Sequence, residues 1–167
     1  MARVRRRRRL RSKGGTMFEN VIWATDGSEC AERALPVALE LVRDGHGKLF
    51  VVHADEIVAG RFGGYSAYAD EEDVREQLRA KVAALVEDGV DAELHLVSGL
   101  QREPADLIAG EALKRGADVI VVGTRGHGRA AGMLLGSVAQ RLLHVSPCPI
   151  LALPIRAQVP AEPASTR

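Results

Sequence analysis

Cysteine is scarce. Cys30 and Cys148 are the only two in 167 residues, far apart and without CxxC spacing. That excludes a disulfide framework and a thiolate zinc site, and reads as plain thiols in a reducing compartment, so the expected location is cytoplasmic. The histidines (His46, His53, His95, His127 and His144) are scattered and show no metal-ligand spacing. No apolar run approaches the roughly eighteen residues of a membrane helix. Several short motifs are missing as well. There is no GxxxxGK followed by Ser or Thr, no GxGxxG after the first strand, no GxSxG and no HExxH. These absences argue against a P-loop, the usual dinucleotide fold, a hydrolase elbow and a zinc protease.

Acid is missing from the first sixteen residues, "MARVRRRRRLRSKGGT", which carry eight basic side chains: Arg3, Arg5 to Arg9, Arg11 and Lys13. The net charge of +1 hides this asymmetry, because residues 17–167 hold 15 basic against 22 acidic groups, a total of −7. The body is therefore not built as a nucleic-acid surface. The arm has no apolar stretch behind it and makes a poor signal peptide. It reads either as a tether to nucleic acid or anionic membrane, or as a disordered extension ahead of a start at Met17, and the second reading is favoured. The ending "RAQVPAEPASTR" is rich in Pro, Ala and polar residues and is expected to be unpacked.

Between the tails, apolar runs alternate with helical patterns. "NVIWATD" and "ADVIVVG" are nearly all apolar, as strands buried on both faces are. "KLFVVHAD" is a further strand, and "DAELHLVSG" alternates like one near a sheet edge. "CPILALP" is a last strand whose prolines also suggest an edge. "SECAERALPVALELVRDG" is helical, with Ser28 as cap and Pro36 predicting a kink or a shortened helix. "EEDVREQLRAKVAALVEDG" predicts a helix with Val74, Leu78, Val82 and Leu85 toward the core. "REPADLIAGEALKRG" predicts one that starts at Pro104 and stops at Gly116. "EIVAGRFGGYSAYAD" reads as a loop, and "SVAQRLLHV" as a short helix. This order predicts one α/β domain over residues 17–155, a doubly wound parallel sheet with helices on both faces. Residues 1–16 form the arm and 156–167 the tail.

In such a sheet ligands bind beyond the carboxyl ends of the strands, where strand order reverses. Two features lie at strand ends. One is "ATDGS", with Asp26 leaving the first strand. The other is "GTRGHGRAAGMLLGS", five glycines in fifteen residues leaving the fourth. The second suits an anion cradle: Gly123 permits close approach, Gly126 permits a positive φ, and Gly136-Ser137 opens a helix. Arg125, His127 and Arg129 add cationic or potentially cationic groups. A flexible loop with exposed polar side chains is the plain alternative. Asp26 and Asp55 are candidates to hold magnesium through water, and Asp26 alternatively as a turn residue. His53 is read as a satisfied core or rim histidine.

The spacing Gly123-x2-Gly126-x9-Gly136-Ser137 resembles the nucleotide signature of the universal stress protein family. "VIWATDGSE", "VVHADE", "REPADLIAGEALKRGADVIVVGTRGHG" and "GSVAQRLLHVSPCPILAL" are similar to that family's segments, in order, over about residues 18–155. The resemblance implies a five-stranded sheet of order 3-2-1-4-5, ATP as ligand and a homodimer. By position, it implies that Ala24, Thr25, Asp26 and Ala54 surround the adenosine end, that Val122 and Gly123 lie along the ribose, and that Gly126, Gly136, Ser137 and Val138 hold the phosphates. Arg125, His127 and Arg129 lie between motif positions and are added from their place on the loop. Ala54 is smaller than the valine common there, and Trp23 is large for its strand. The reading is a stress-response binding module whose glycine loop is ordered by ATP, with or without magnesium. A slow ATPase or self-phosphorylating enzyme, a nucleic-acid-associated protein acting through the arm, and a cyclic adenine nucleotide as ligand remain as alternatives.

Overall fold

The computed structural model describes residues 18–43, 47–60, 63–66, 71–100, 103–126 and 135–154. The arm and the tail, together with His127 and Arg129, lie outside the described residues. In chain order the elements are β1 (Asn20–Ala24), α1 (Glu29–Glu32), α2 (Leu35–Arg43), β2 (Lys48–Gly60), β3 (Gly63–Ser66), α3 (Glu71–Glu87), β4 (Ala92–Leu100), α4 (Pro104–Arg115), β5 (Val119–Gly123), α5 (Ser137–Val145) and β6 (Ile150–Leu153).

Five strands run parallel in the order β4-β2-β1-β5-β6, which is the expected 3-2-1-4-5 sheet. β1 and β5 are its centre. Val21, Ile22 and Trp23 and the whole of β5 are buried, which explains why both segments are apolar at every position. Among the described residues β4 and β6 each pair on one side only, as their alternating and proline-flanked sequences suggest.

Alternation splits the strand side chains between two cores. Val21, Trp23, Leu49, Val51 and Val121 pack with Ala38, Val42, Leu78, Val82 and Leu85 from α2 and α3. Ile22, Ala24, Phe50, Val52, Ile120 and Val122 pack with Ala105, Ile108, Ala112, Ala139 and Leu142 from α4 and α5. Each fully buried Leu or Ile contributes roughly 1.5–3 kcal/mol.

Local chemistry sets the ends of the helices. Gly116 caps α4 in the left-handed region (φ 62°), its N–H reaching the Ala112 and Leu113 carbonyls. The segment read as one helix from Ser28 is two. Ser28 Oγ caps α1 by accepting the Ala31 N–H, the chain turns at Arg33 and Ala34, and Pro36 sits in the first turn of α2. The buried Trp23 indole N–H donates to the Ala31 carbonyl at 2.9 Å, which also accepts the Ala34 N–H, so the break gives the indole its partner.

One expectation is corrected. The pattern of "EIVAGRFGGYSAYAD" predicts a loop, but β2 continues into it as far as Gly60, and β3 pairs back antiparallel, with Ile57 opposite Ser66 and Gly60 opposite Gly63. Ile57 also pairs with Leu100 of β4. β3 therefore lies on the side of β2 that faces β1, beyond the point where β1 ends. Among the described residues no helix is long and apolar enough to cross a membrane.

Candidate functional site

The chain leaves β1 through Thr25, Asp26, Gly27 and Ser28, and a set of short bonds fixes this turn. The Thr25 N–H donates to the Val52 carbonyl at 3.0 Å, continuing the ladder one residue past β1. Thr25 Oγ1 accepts the Gly27 N–H at 3.1 Å, and Asp26 Oδ1 accepts the Ser28 N–H at 3.0 Å. Gly27 has φ 78°, a conformation glycine adopts at no steric cost. Asp26 serves as a turn residue and also reaches the glycine loop, because a Cβ built on Gly126 would strike its Oδ2.

The loop ends are drawn together at the same place. The Gly136 N–H donates to the Thr124 carbonyl at 2.6 Å, and the Thr124 N–H to the Leu153 carbonyl at 2.9 Å. A side chain at Gly136 would meet the Thr124 oxygen at 3.3 Å and the Arg125 Cα at 3.5 Å. Gly136 is the N-cap of α5 and offers no side-chain cap. The first-turn N–H groups of Ser137, Val138 and Ala139 lack intrahelical acceptors, which leaves them for an anion.

The predicted residues fall into three groups. Asp26, Gly126 and Gly136 converge, with Arg125 and Ser137 exposed beside them. Ala24 and Val122 are register partners on adjacent strands, but both side chains are buried against α4 and α5, so only their backbone can face a ligand. Ala54, half-buried on β2, and Val138 on α5 pack against the same core.

The glycines work differently from the expectation. A Cβ on Gly123 would lie 3.0 Å from the Cys30 carbonyl and Sγ, so this glycine lets α1 approach β5. Gly126 is not among the positive-φ glycines, which are Gly27, Gly89 and Gly116 in the described residues; what it supplies is room for the Asp26 carboxylate. Asp55 is also corrected. It is 1% exposed and its Oδ2 accepts from Arg75 at 3.1 Å, so its carboxylate is turned into the protein rather than toward a solvent-borne ion.

Asp55 belongs to a buried network that periodicity did not reveal. His53 Nδ1 lies 2.9 Å from the Thr25 carbonyl, and Nε2 lies 2.8 Å from Glu71 Oε1. Arg75 Nε donates to the same oxygen at 2.8 Å. The hydrogen bond to Glu71, against the opposing effect of burial, raises the Arg75 pKa above its ordinary range. The available signals were His53 and Asp55 two residues apart on one strand face, and Glu71 and Arg75 four apart on one helix.

A second polar cluster lies on the opposite sheet face. His95 Nδ1 is 3.1 Å from an Arg115 nitrogen, and Nε2 is 3.3 Å from Glu93 Oε1 without hydrogen-bond alignment. Burial, joined by the Arg115 charge, lowers the His95 pKa. Burial opposes the charge of Glu111, yet Lys114 and Arg115 hold its carboxyl below the usual range.

With this geometry in place, residues 17–154 match the universal stress protein family. The chain belongs to that family. A universal stress protein of Thermus aquaticus is 38% identical over 138 residues, covering 81% of this chain and 98% of its own. Among solved structures, the universal stress protein from Archaeoglobus fulgidus in complex with dAMP superposes with a TM-score of 0.58 at 26% identity, covering 80% of this chain and 95% of that one. A universal stress protein in complex with cAMP gives 0.58 at 26% identity, with 81% and 96% covered. Both of those proteins are thus in complex with an adenine nucleotide.

Proposed function

We propose that this universal stress protein binds ATP at the carboxyl ends of β1 and β5 and acts as a nucleotide-dependent binding module of the cytoplasmic stress response. The observation that carries this is the contact between the Asp26 turn and Gly126, beside an uncapped α5 N-terminus. A carboxylate suited to a ribose or to a metal-bound water there adjoins N–H groups suited to phosphates. The relatives with bound dAMP and cAMP support adenine as the base. Ser137 and the Ser137 and Val138 N–H groups would hold phosphate, with Arg125 as the nearby described cation. Magnesium accompanying the triphosphate would meet Asp26 rather than Asp55. Nucleotide occupancy then biases the loop surface offered to a protein partner, by no more than the difference in affinity between the two loop states.

Calorimetric titration with ATP, AMP and cAMP tests the reading. Saturable binding of ATP is expected, and it should weaken at least tenfold in Gly136→Val, whose side chain would crowd Thr124 and Arg125. Full affinity in that variant would remove the site from this end of the sheet. A response to cAMP alone would keep the site and change the ligand.

A further inference from the structure

We infer that His53 is the positioning residue of the nucleotide site: its Nδ1–H holds the Thr25 carbonyl and so sets the peptide plane that carries Asp26. The inference rests on the proposed site and adds a residue outside it. β1 ends at Ala24, so the Thr25 carbonyl has left the β-ladder while Thr25 remains buried at 7% exposure. A buried carbonyl without a donor is costly, and His53 supplies one at 2.9 Å. A carbonyl can only accept, so Nδ1 is the donor in this contact.

The ring is held from its other side. Glu71 Oε1 sits 2.8 Å from Nε2 and also accepts from Arg75, whose second nitrogen reaches Asp55, two residues after His53 on β2. The contacts close a circuit from β2 to α3 and back. Each titratable member is buried or half-buried, which limits the room for the imidazole to rotate. α3 also touches the turn directly, since Val74 Cγ1 would lie 3.0 Å from a Cβ on Gly27. The first turn of α3 thus braces the Asp26 turn from behind, through one hydrogen-bonded ring and one packed methyl.

Two conservative substitutions separate positioning from structural support, because each keeps one nitrogen of the imidazole. Asn places its amide nitrogen where Nδ1 lies and does not reach Glu71; Gln reaches Glu71 and leaves Thr25 without a donor. The first measurement is ATP affinity by calorimetry. His53→Gln should weaken binding about tenfold, the factor that loss of one such bond gives, while His53→Asn stays within about threefold. The second is thermal melting, where the Asn variant should be the less stable because it detaches α3. The third is hydrogen exchange of the peptide spanning residues 24–30 without nucleotide, which should accelerate in the Gln variant only. Parallel losses of affinity and stability in both variants, or unchanged exchange in His53→Gln, would overturn the inference. If the variants show the exchange pattern but wild-type protein binds no adenine nucleotide, the positioning of the turn stands and the nucleotide reading falls.

Discussion

Gly126→Ala places a methyl group against the Asp26 carboxylate, where Oδ2 already occupies the space and Cγ lies 3.3 Å away. The neighbour is a side chain, so it yields by rotating, and rotation withdraws Oδ1 from the Ser28 N–H. A hydrogen bond to a charged group contributes about 1.5–3 kcal/mol. Against this, Gly→Ala at a residue without positive φ gains about 0.4–1 kcal/mol by restricting the unfolded chain. The net cost should be about 1 kcal/mol, a fall of roughly 4 °C in Tm for a domain of this size. In an Asp26→Ala background the obstacle and the bond are both gone, so the same substitution should be neutral or slightly stabilising. Urea denaturation of the four proteins gives a coupling of about 1–2 kcal/mol if the contact is as described. Equal costs in the two backgrounds would refute it, and would return Gly126 to a role in the backbone of the loop alone.

Two further outcomes follow from the sheet. His95 has a folded pKa below its ordinary value near 6.5, so the native state binds fewer protons than the unfolded chain as pH falls. The stability it contributes is complete above about pH 6.5 and is lost as pH falls through that value toward the folded pKa. Melts from pH 7.5 to 5 should show a smaller decline in His95→Gln, and identical curves would contradict this. At the other edge, the Pro149 and Leu153 carbonyls accept from β5, so by alternation the N–H groups of Ile150 and Ala152 face outward, beside a partly exposed Leu151. We expect β6 to pair with its copy about a two-fold axis, giving light-scattering masses near twice 17.9 kDa, with Ala152→Pro shifting the mass toward one chain. A monomer across the micromolar range would refute it.

How much of this was legible depended on whether a residue's role is local. Val119 to Gly123 declare a central strand because both faces are buried, and Gly116 declares a helix stop because only its backbone is at issue. The strand order followed from the resemblance to a known family, and the candidate site from the rule that ligands bind beyond the carboxyl ends of such strands. The packing constraint on Gly123 escaped because it comes from Cys30, 93 positions away and brought close only by the fold. β3 escaped because an antiparallel pair built on Gly60, Gly63 and Gly64 presents no apolar alternation. The His53 circuit escaped because its members, on β2 and α3, are ordinary surface residues in composition, and burial alone makes them a unit. Trp23 is large for its strand, and its side chain is wholly buried in the core that α2 and α3 cover.

That placement has an optical consequence. Trp23 is the protein's single tryptophan, fully shielded from water, with its indole N–H tied to α1 and the Lys81 ammonium 5.9 Å from its ring centre. It is three residues from Asp26 on the same chain. Emission from a tryptophan reflects the charge and polarity immediately around the ring. Any shift of α1 or α3 against β1 therefore alters both the colour and the intensity of the one fluorophore, and the chain carries its own label beside the Asp26 turn.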